Sequence, residues 1–159
     1  MAGRDMAEVI FNYLKLDADA ATLRGYIQGG ADNILEAGDL TEEIVAQAIA
    51  DRRAAGDYNK ALAIAVQDAG EEEIDRFTKA QNVNVRIYDR DRGYRNLRMC
   101  KLEIVRLLGG DFEEEMTAGI GVAHMATFFV GRAGHRWDRI YDVEYEVLRF
   151  ANYMHYARG

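Results

Sequence analysis

The residues that could perform acid–base or metal chemistry are scattered along this sequence rather than grouped. Three histidines are present, His124, His135 and His155, and none has a partner at the spacing of metal-ligand motifs such as HxH or HExxH. Carboxylates are numerous, but they occur in consecutive runs, Glu71–Glu73 and Glu113–Glu115, which usually form solvated loops because like charges repel. The sequence therefore predicts no metal site, no cofactor and no catalytic residue.

The sequence also gives no support for a reactive cysteine or for a glycine-rich nucleotide-binding loop. The single cysteine, Cys100, cannot form an intramolecular disulfide, and its apolar neighbours are typical of a small buried side chain. The glycine-rich segment 29–38 lacks the GxGxxG order of dinucleotide-binding loops, and segment 118–125 lacks the Lys-Ser/Thr of a phosphate-binding loop. We therefore expect a protein that is not an enzyme.

The length of 159 residues favours one domain, 1–159, with a helical part at 1–56 and an α+β core at 60–156. No apolar run approaches the ~18–20 residues of a membrane span, and the first residues lack the apolar core of a secretory signal. A hydrophobic content of 49% argues against disorder.

The charge is unbalanced, with 27 acidic against 20 basic residues and a net charge of −7. Such a chain is a poor candidate for generic nucleic-acid binding, which needs a basic surface. Its 16 arginines and 4 lysines have two interpretations. One is GC-rich coding, and the other is life in molar salt, where the Debye length is about 3 Å. Adaptation to molar salt predicts a melting temperature that rises with KCl concentration.

Periodicity of 3.6 residues predicts helices at 6–16, 21–30, 39–56 and 92–108. In the third of these, Thr41 or Asp39 is a candidate N-cap and Gly56 a stop signal. Asp91 is a candidate cap for the last helix. Three arginines, Arg95, Arg98 and Arg106, project from nearly one face of it. They could meet a phosphate backbone or acidic residues of another subunit, and the acidic surroundings favour the second.

Alternating apolar residues predict strands at 61–67, 83–88, 122–130 and 140–153. Segment 70–80 is expected to be a short acidic helix or a loop, and 131–139 a hairpin connection. In the last strand the apolar positions shift after Val147, which predicts a β-bulge or a change of neighbouring strand. We expect an α+β fold with an antiparallel or mixed sheet of about four strands, a long C-terminal β-hairpin, one helix packed on the sheet and a helical N-terminal third.

The second half resembles a family of viral proteins in its order of elements. The segments VNVRIYDRDRGYRNLRMCKLEIVRLL and HMATFFVGRAGHRWDRIYDVEYEVLRF give strand, helix, strand, turn and long strand, with Gly131, Gly134 and Trp137 in the turn. This order is similar to that of the tail-completion or tail-terminator proteins of long-tailed, siphovirus-like viruses. The resemblance covers about residues 60–156.

The resemblance implies a structural role without catalytic residues. Such proteins form a ring, usually a hexamer, that caps the tail tube at the tail–neck junction of the virion. The implied partners are further copies of the chain, the tail tube protein and a neck or connector protein, with DNA only as passing cargo and no membrane. A haloarchaeal virus would fit the charge balance. The alternatives are a head-closure or head–tail adaptor protein of the neck, or a small ligand-binding or enzymatic α+β domain.

Contacts in a closed ring pair different patches of neighbouring subunits. We hypothesise that the face formed by Arg95, Arg98 and Arg106 meets an acidic patch across a subunit boundary. The candidate patch comprises Glu113, Glu114 and Glu115. Apolar contacts are expected from Trp137, Tyr141 and Tyr145, since aromatic residues are enriched at interfaces.

Overall fold

The computed structural model of the chain describes residues 5–109 and 122–156. These residues contain four α-helices, α1 (Met6–Leu16), α2 (Ala21–Gly25), α3 (Glu42–Ala55) and α4 (Arg95–Leu108). They also contain five strands of one sheet, β1 (Ile34–Glu36), β2 (Ala63–Glu73), β3 (Thr78–Asp89), β4 (Val122–Asp138) and β5 (Val143–Tyr156). The order across the sheet is β1-β2-β3-β5-β4. Only β1 and β2 are parallel, so the α+β fold with a mixed sheet is confirmed.

The described sheet has one strand more than the sequence predicted. The extra strand, β1, has only three residues and pairs in parallel with Ile64–Val66 of β2. It lies inside the part of the chain that we expected to be helical. Three residues are too few to show an alternating pattern, which explains why the sequence did not reveal it.

Local signals set the boundaries of the helices. The Thr41 side chain accepts a hydrogen bond from the backbone N–H of Ile44 at 3.3 Å, as expected for an N-cap. Gly56 ends α3 in the left-handed region, with a φ of 69°, where an L-residue would be strained. At α4 the expectation was wrong, because the helix begins at Arg95 and Asp91 lies outside it with a φ of 58°.

Both faces of the sheet are buried, and different helices bury them. On one face α1, α2 and α4 pack over the larger core, which includes the strand residues Ile64, Val85, Ile87, Leu148 and Phe150. On the other face α3 packs over a smaller core that includes Ala63, Ala65, Tyr88 and Val143. The sequence predicted one helix on the sheet. The small alanine side chains of β2 give α3 room to approach the second face.

Segment 70–80 forms most of a β-hairpin rather than an acidic helix or a loop. β2 continues to Glu73, the chain turns at residues 74–77, and β3 begins at Thr78. A register shift between Asp68 and Glu71 marks a β-bulge, and Gly70 within it has a φ of 94°. Backbone pairing with β3 produces this structure, so the side chains need not alternate between apolar and polar.

The C-terminal hairpin differs from the prediction in both strands: β4 is longer, and β5 is more regular. β4 continues through most of segment 131–139 and ends at Asp138, so the connection is only residues 139–142. The bulge predicted after Val147 is absent from β5, which pairs with β3 without a register shift. The shifts lie in β4 instead. The apolar positions of β5 change because Val143 faces α3, whereas Leu148 faces the larger core.

Candidate subunit-contact surfaces

The predicted arginine face lies on the surface of α4. Arg95 and Arg98 are exposed, while Leu97, Cys100 and Ile104 point into the larger core. Arg106 is also exposed, and its Nε donates to Glu103 of the same helix at 3.2 Å. One of the three arginines therefore has an acidic partner within its own subunit.

The acidic residues assigned to meet this face, Glu113, Glu114 and Glu115, lie outside the described residues. The pairing between α4 and this patch therefore stays a prediction.

The three predicted aromatic contacts separate into two environments. Trp137 is 49% exposed on β4. Tyr141 is half-buried, and its hydroxyl donates to the carbonyl oxygen of Leu40 at 3.0 Å. The ring of Tyr145 stacks on Tyr88 with centroids 5.6 Å apart. Both tyrosines thus pack beside α3 within the subunit, and Trp137 is the member of the set that faces outward.

Strand β4 forms one edge of the sheet. Within the described residues it pairs with β5 on one side and with no strand on the other. Along this edge Phe129, Val130 and Trp137 are 39%, 60% and 49% exposed, and Ile140 in the following turn is 72% exposed. A long unpaired strand edge that carries exposed apolar side chains readily adds another chain. We call this row of four residues the apolar edge.

The hairpin between β2 and β3 carries the strongest negative charge among the described residues. Residues 68–75, the acidic tip, contain five carboxylates and no basic residue. Glu71, Glu72 and Glu73 are all exposed. β1 borders β2 only at Ile64–Val66, so no described strand covers this part of the β2 edge.

The turn of the acidic tip is held by a side chain that stays ionised. The Asp75 carboxylate accepts a hydrogen bond from the backbone N–H of Phe77 at 2.8 Å, which lowers the pKa of Asp75 below its usual value. The hairpin therefore presents its charges on an ordered turn.

At the opposite end of the strands lies a cleft lined by four arginines. It has a volume of about 220 Å³ and is formed by the end of α3, the following loop and the turn after β3. We call it the arginine cleft. It is lined by Ile49, Arg52, Arg53, Tyr58, Arg90, Asp91 and Arg92. These arginines come from separate segments of the sequence, and their convergence depends on α3 docking against the end of β3.

Arg52 is the structural centre of the arginine cleft. Its side chain is 5% exposed and forms an ion pair with the buried carboxylate of Asp89. The same guanidinium donates to the backbone carbonyl oxygens of Lys60 at 2.9 Å and Arg90 at 2.8 Å. Arg52 thereby joins α3 to the start of β2 and the end of β3, which lie side by side, and its position is fixed.

The other arginines of the cleft are more accessible. Arg92 lies over the Tyr58 ring at 4.4 Å from its centroid, a cation–π geometry that orients the guanidinium. Arg90 has Asp91 at 3.4 Å and Asp142 at 3.5 Å. Within the described part of the chain, Arg53 and Arg92 have no acidic partner. The cleft therefore retains positive charge that an external anion can neutralise.

Comparison with known proteins adds no family assignment, because neither a protein-family model nor a curated protein sequence matches the chain. In residues 5–109 and 122–156, no three His, Cys, Asp or Glu side chains are grouped as metal ligands would be. Over the same ranges, every helix is too short or too polar to cross a bilayer.

Proposed function

We propose that this protein is a structural component of a virion, a tail terminator whose copies form a ring at the tail–neck junction. The ring, expected to be a hexamer, caps the tail tube, joins it to the neck and lets DNA pass as cargo. The proposal starts from the element order of residues 60–156, in which a strand, a helix and a long hairpin follow one another as in that family.

The observation that carries the proposal is the apolar edge of β4. It exposes large apolar side chains beside a strand edge that no other described strand covers. A second copy of the chain would remove these side chains from water, which is worth about 25 cal/mol per Å² of apolar surface. Molar salt would weaken ion pairs between subunits but not this contribution, so an assembly built on the apolar edge fits a saline environment.

The shape of the β4 edge favours binding of a specific partner over unlimited addition of strands. β4 has three register shifts against the regular strand β5, at 124–126, 129–131 and 132–135. Such bulges twist an edge and prevent unlimited strand-by-strand growth. A partner must therefore match the shape of this edge, as is required where a ring closes after a fixed number of subunits.

The test is to measure the mass of the purified protein by native mass spectrometry and to image it by electron microscopy, in dilute buffer and in molar KCl. We expect a ring with a central channel, which dissociates when the apolar edge is replaced by Trp137→Ser with Ile140→Ser. The matched control is Leu16→Ser with Leu102→Ser, which changes two apolar residues of similar exposure on helices. A monomer at all concentrations and salt conditions would refute the proposal.

A further inference from the structure

The acidic tip and the arginine cleft lie at opposite ends of the same strands. The tip lies at the end of β2 next to the β2–β3 turn, and the cleft begins where β3 ends, at Arg90. Glu71 of the tip pairs with Gln81 of β3, and β3 runs from there to Asp89 before the cleft begins at Arg90. At a rise of about 3.3 Å per residue, this part of the strand spans roughly 30 Å.

Because of this separation, the acidic tip of one subunit cannot reach the arginine cleft of the same subunit. Both sites belong to the ordered hairpin and sheet, so no hinge brings them together within the chain. Their complementary charges can meet only between two copies. A contact of tip with cleft is heterologous, since it joins different patches, and heterologous contacts generate rings when the rotation closes.

We propose that the arginine cleft of one subunit binds the acidic tip of the next subunit, and that this contact sets the direction of the ring. The inference rests on the proposed function, because it specifies how copies of the chain assemble. The ligand of the cleft is a run of carboxylates, Glu71–Glu73, at the exposed end of β2 next to the turn.

The chemistry of the cleft suits carboxylates. Guanidinium groups can donate two parallel hydrogen bonds to one carboxylate, which gives directional binding that a lysine cannot supply. Arg52 is already bonded to Asp89 and to backbone oxygens, so Arg53, Arg90 and Arg92 are the groups that face the tip. Tyr58 holds Arg92 in place, which reduces the entropy lost on binding.

The test uses two complementary charge reversals in the full chain. The cleft variant combines Arg53→Glu with Arg92→Glu, and the tip variant combines Glu71→Lys with Glu72→Lys. All four side chains are exposed, so both variants should fold, which circular dichroism and thermal melting would verify. A third variant, Arg95→Glu with Arg98→Glu, reverses two exposed arginines of α4 and tests the competing contact predicted for that helix.

Each reversed variant alone should assemble at least about tenfold more weakly than the unmodified chain at ~0.15 M salt, because every contact then joins like charges. An equimolar mixture should recover assembly, since the tip of each variant matches the cleft of the other. Recovered rings should contain an even number of subunits with the two variants in equal amounts, which native mass spectrometry resolves.

Other outcomes separate this contact from the proposed function. Normal rings from each reversed variant alone would overturn the contact and leave the ring intact. Dissociation without recovery in the mixture would also overturn the pairing of tip with cleft. Dissociation of the α4 variant with normal rings from both other variants would assign the contact to Arg95 and Arg98 instead. An unmodified chain that is always monomeric would refute the proposed function itself.

Discussion

The ion pair between Arg52 and Asp89 should be a major determinant of stability, and replacing Arg52 with Met tests this directly. Methionine keeps most of the aliphatic volume, so the cavity contribution is small. The substitution removes the hydrogen bonds to the Lys60 and Arg90 carbonyl oxygens and leaves the Asp89 carboxylate buried without its cation. Removing one partner of a buried pair costs about 3–5 kcal/mol. For a chain of this size that lowers the melting temperature by about 6–20 °C.

The effect of Arg52→Met should depend on pH. Burial raises the pKa of Asp89 above its usual value although Arg52 acts in the opposite direction, so removing Arg52 raises that pKa further. A carboxyl group with a raised pKa in the folded protein stabilises the fold fully below its unfolded pKa of about 3.9. That contribution is lost as the pH rises through the folded pKa. The loss of stability should therefore be smaller near pH 4 than near pH 8.

Urea unfolding of the unmodified chain and the variant at both pH values measures these differences. Arg53→Met is the matched control, since Arg53 is the exposed neighbour on α3 and its replacement should change stability by no more than about 0.5 kcal/mol. Adding Asp89→Asn to Arg52→Met should restore part of the stability, because the amide carries no charge. A loss below about 1 kcal/mol at pH 8, or one that does not change with pH, would refute the reasoning.

Two further predictions concern single side chains. Cys100 is fully buried, and burial raises the pKa of its thiol to about 12, so on the order of 10⁻⁴ of it is ionised at pH 8. Iodoacetamide should therefore leave the intact mass of the native protein unchanged and add one adduct in guanidinium; rapid native labelling would contradict the burial. Tyr141→Phe removes the hydrogen bond to the Leu40 carbonyl and should lower the free energy of unfolding in urea by about 0.5–1.5 kcal/mol; an unchanged stability would contradict a contribution from this bond.

The sequence predicted those elements whose signals are local. Thr41 and Gly56 mark the two ends of α3, and their side-chain and backbone chemistry acts within one helical turn. α4 was recognisable because its apolar residues repeat at helical spacing. The hairpin at 70–80 was not predicted, because its charged residues show no alternation and it depends on pairing between two strands.

The candidate contact surfaces were predictable only in part. Trp137 was identified from its residue type, and it is exposed on an edge strand. The arginine cleft was missed because Arg53 and Arg92 come from segments that are distant in sequence, and only the docking of α3 brings them together. Sequence spacing reports contacts within one element, whereas a site built between elements depends on the tertiary fold.

The strand order has a consequence for how the chain folds. β5 is the last of the five described strands to be synthesised, yet it lies between β3 and β4 in the sheet. Until β5 emerges from the ribosome, β3 and β4 have no common neighbour, and each exposes an unpaired edge. Pairing of β5 with β3 joins Thr78 to His155 and Asp89 to Glu144, which are contacts of high sequence separation and form slowly. The nascent chain therefore depends on β5 to join β4 to the rest of the sheet, and the interval before β5 pairs is when it is most exposed to aggregation.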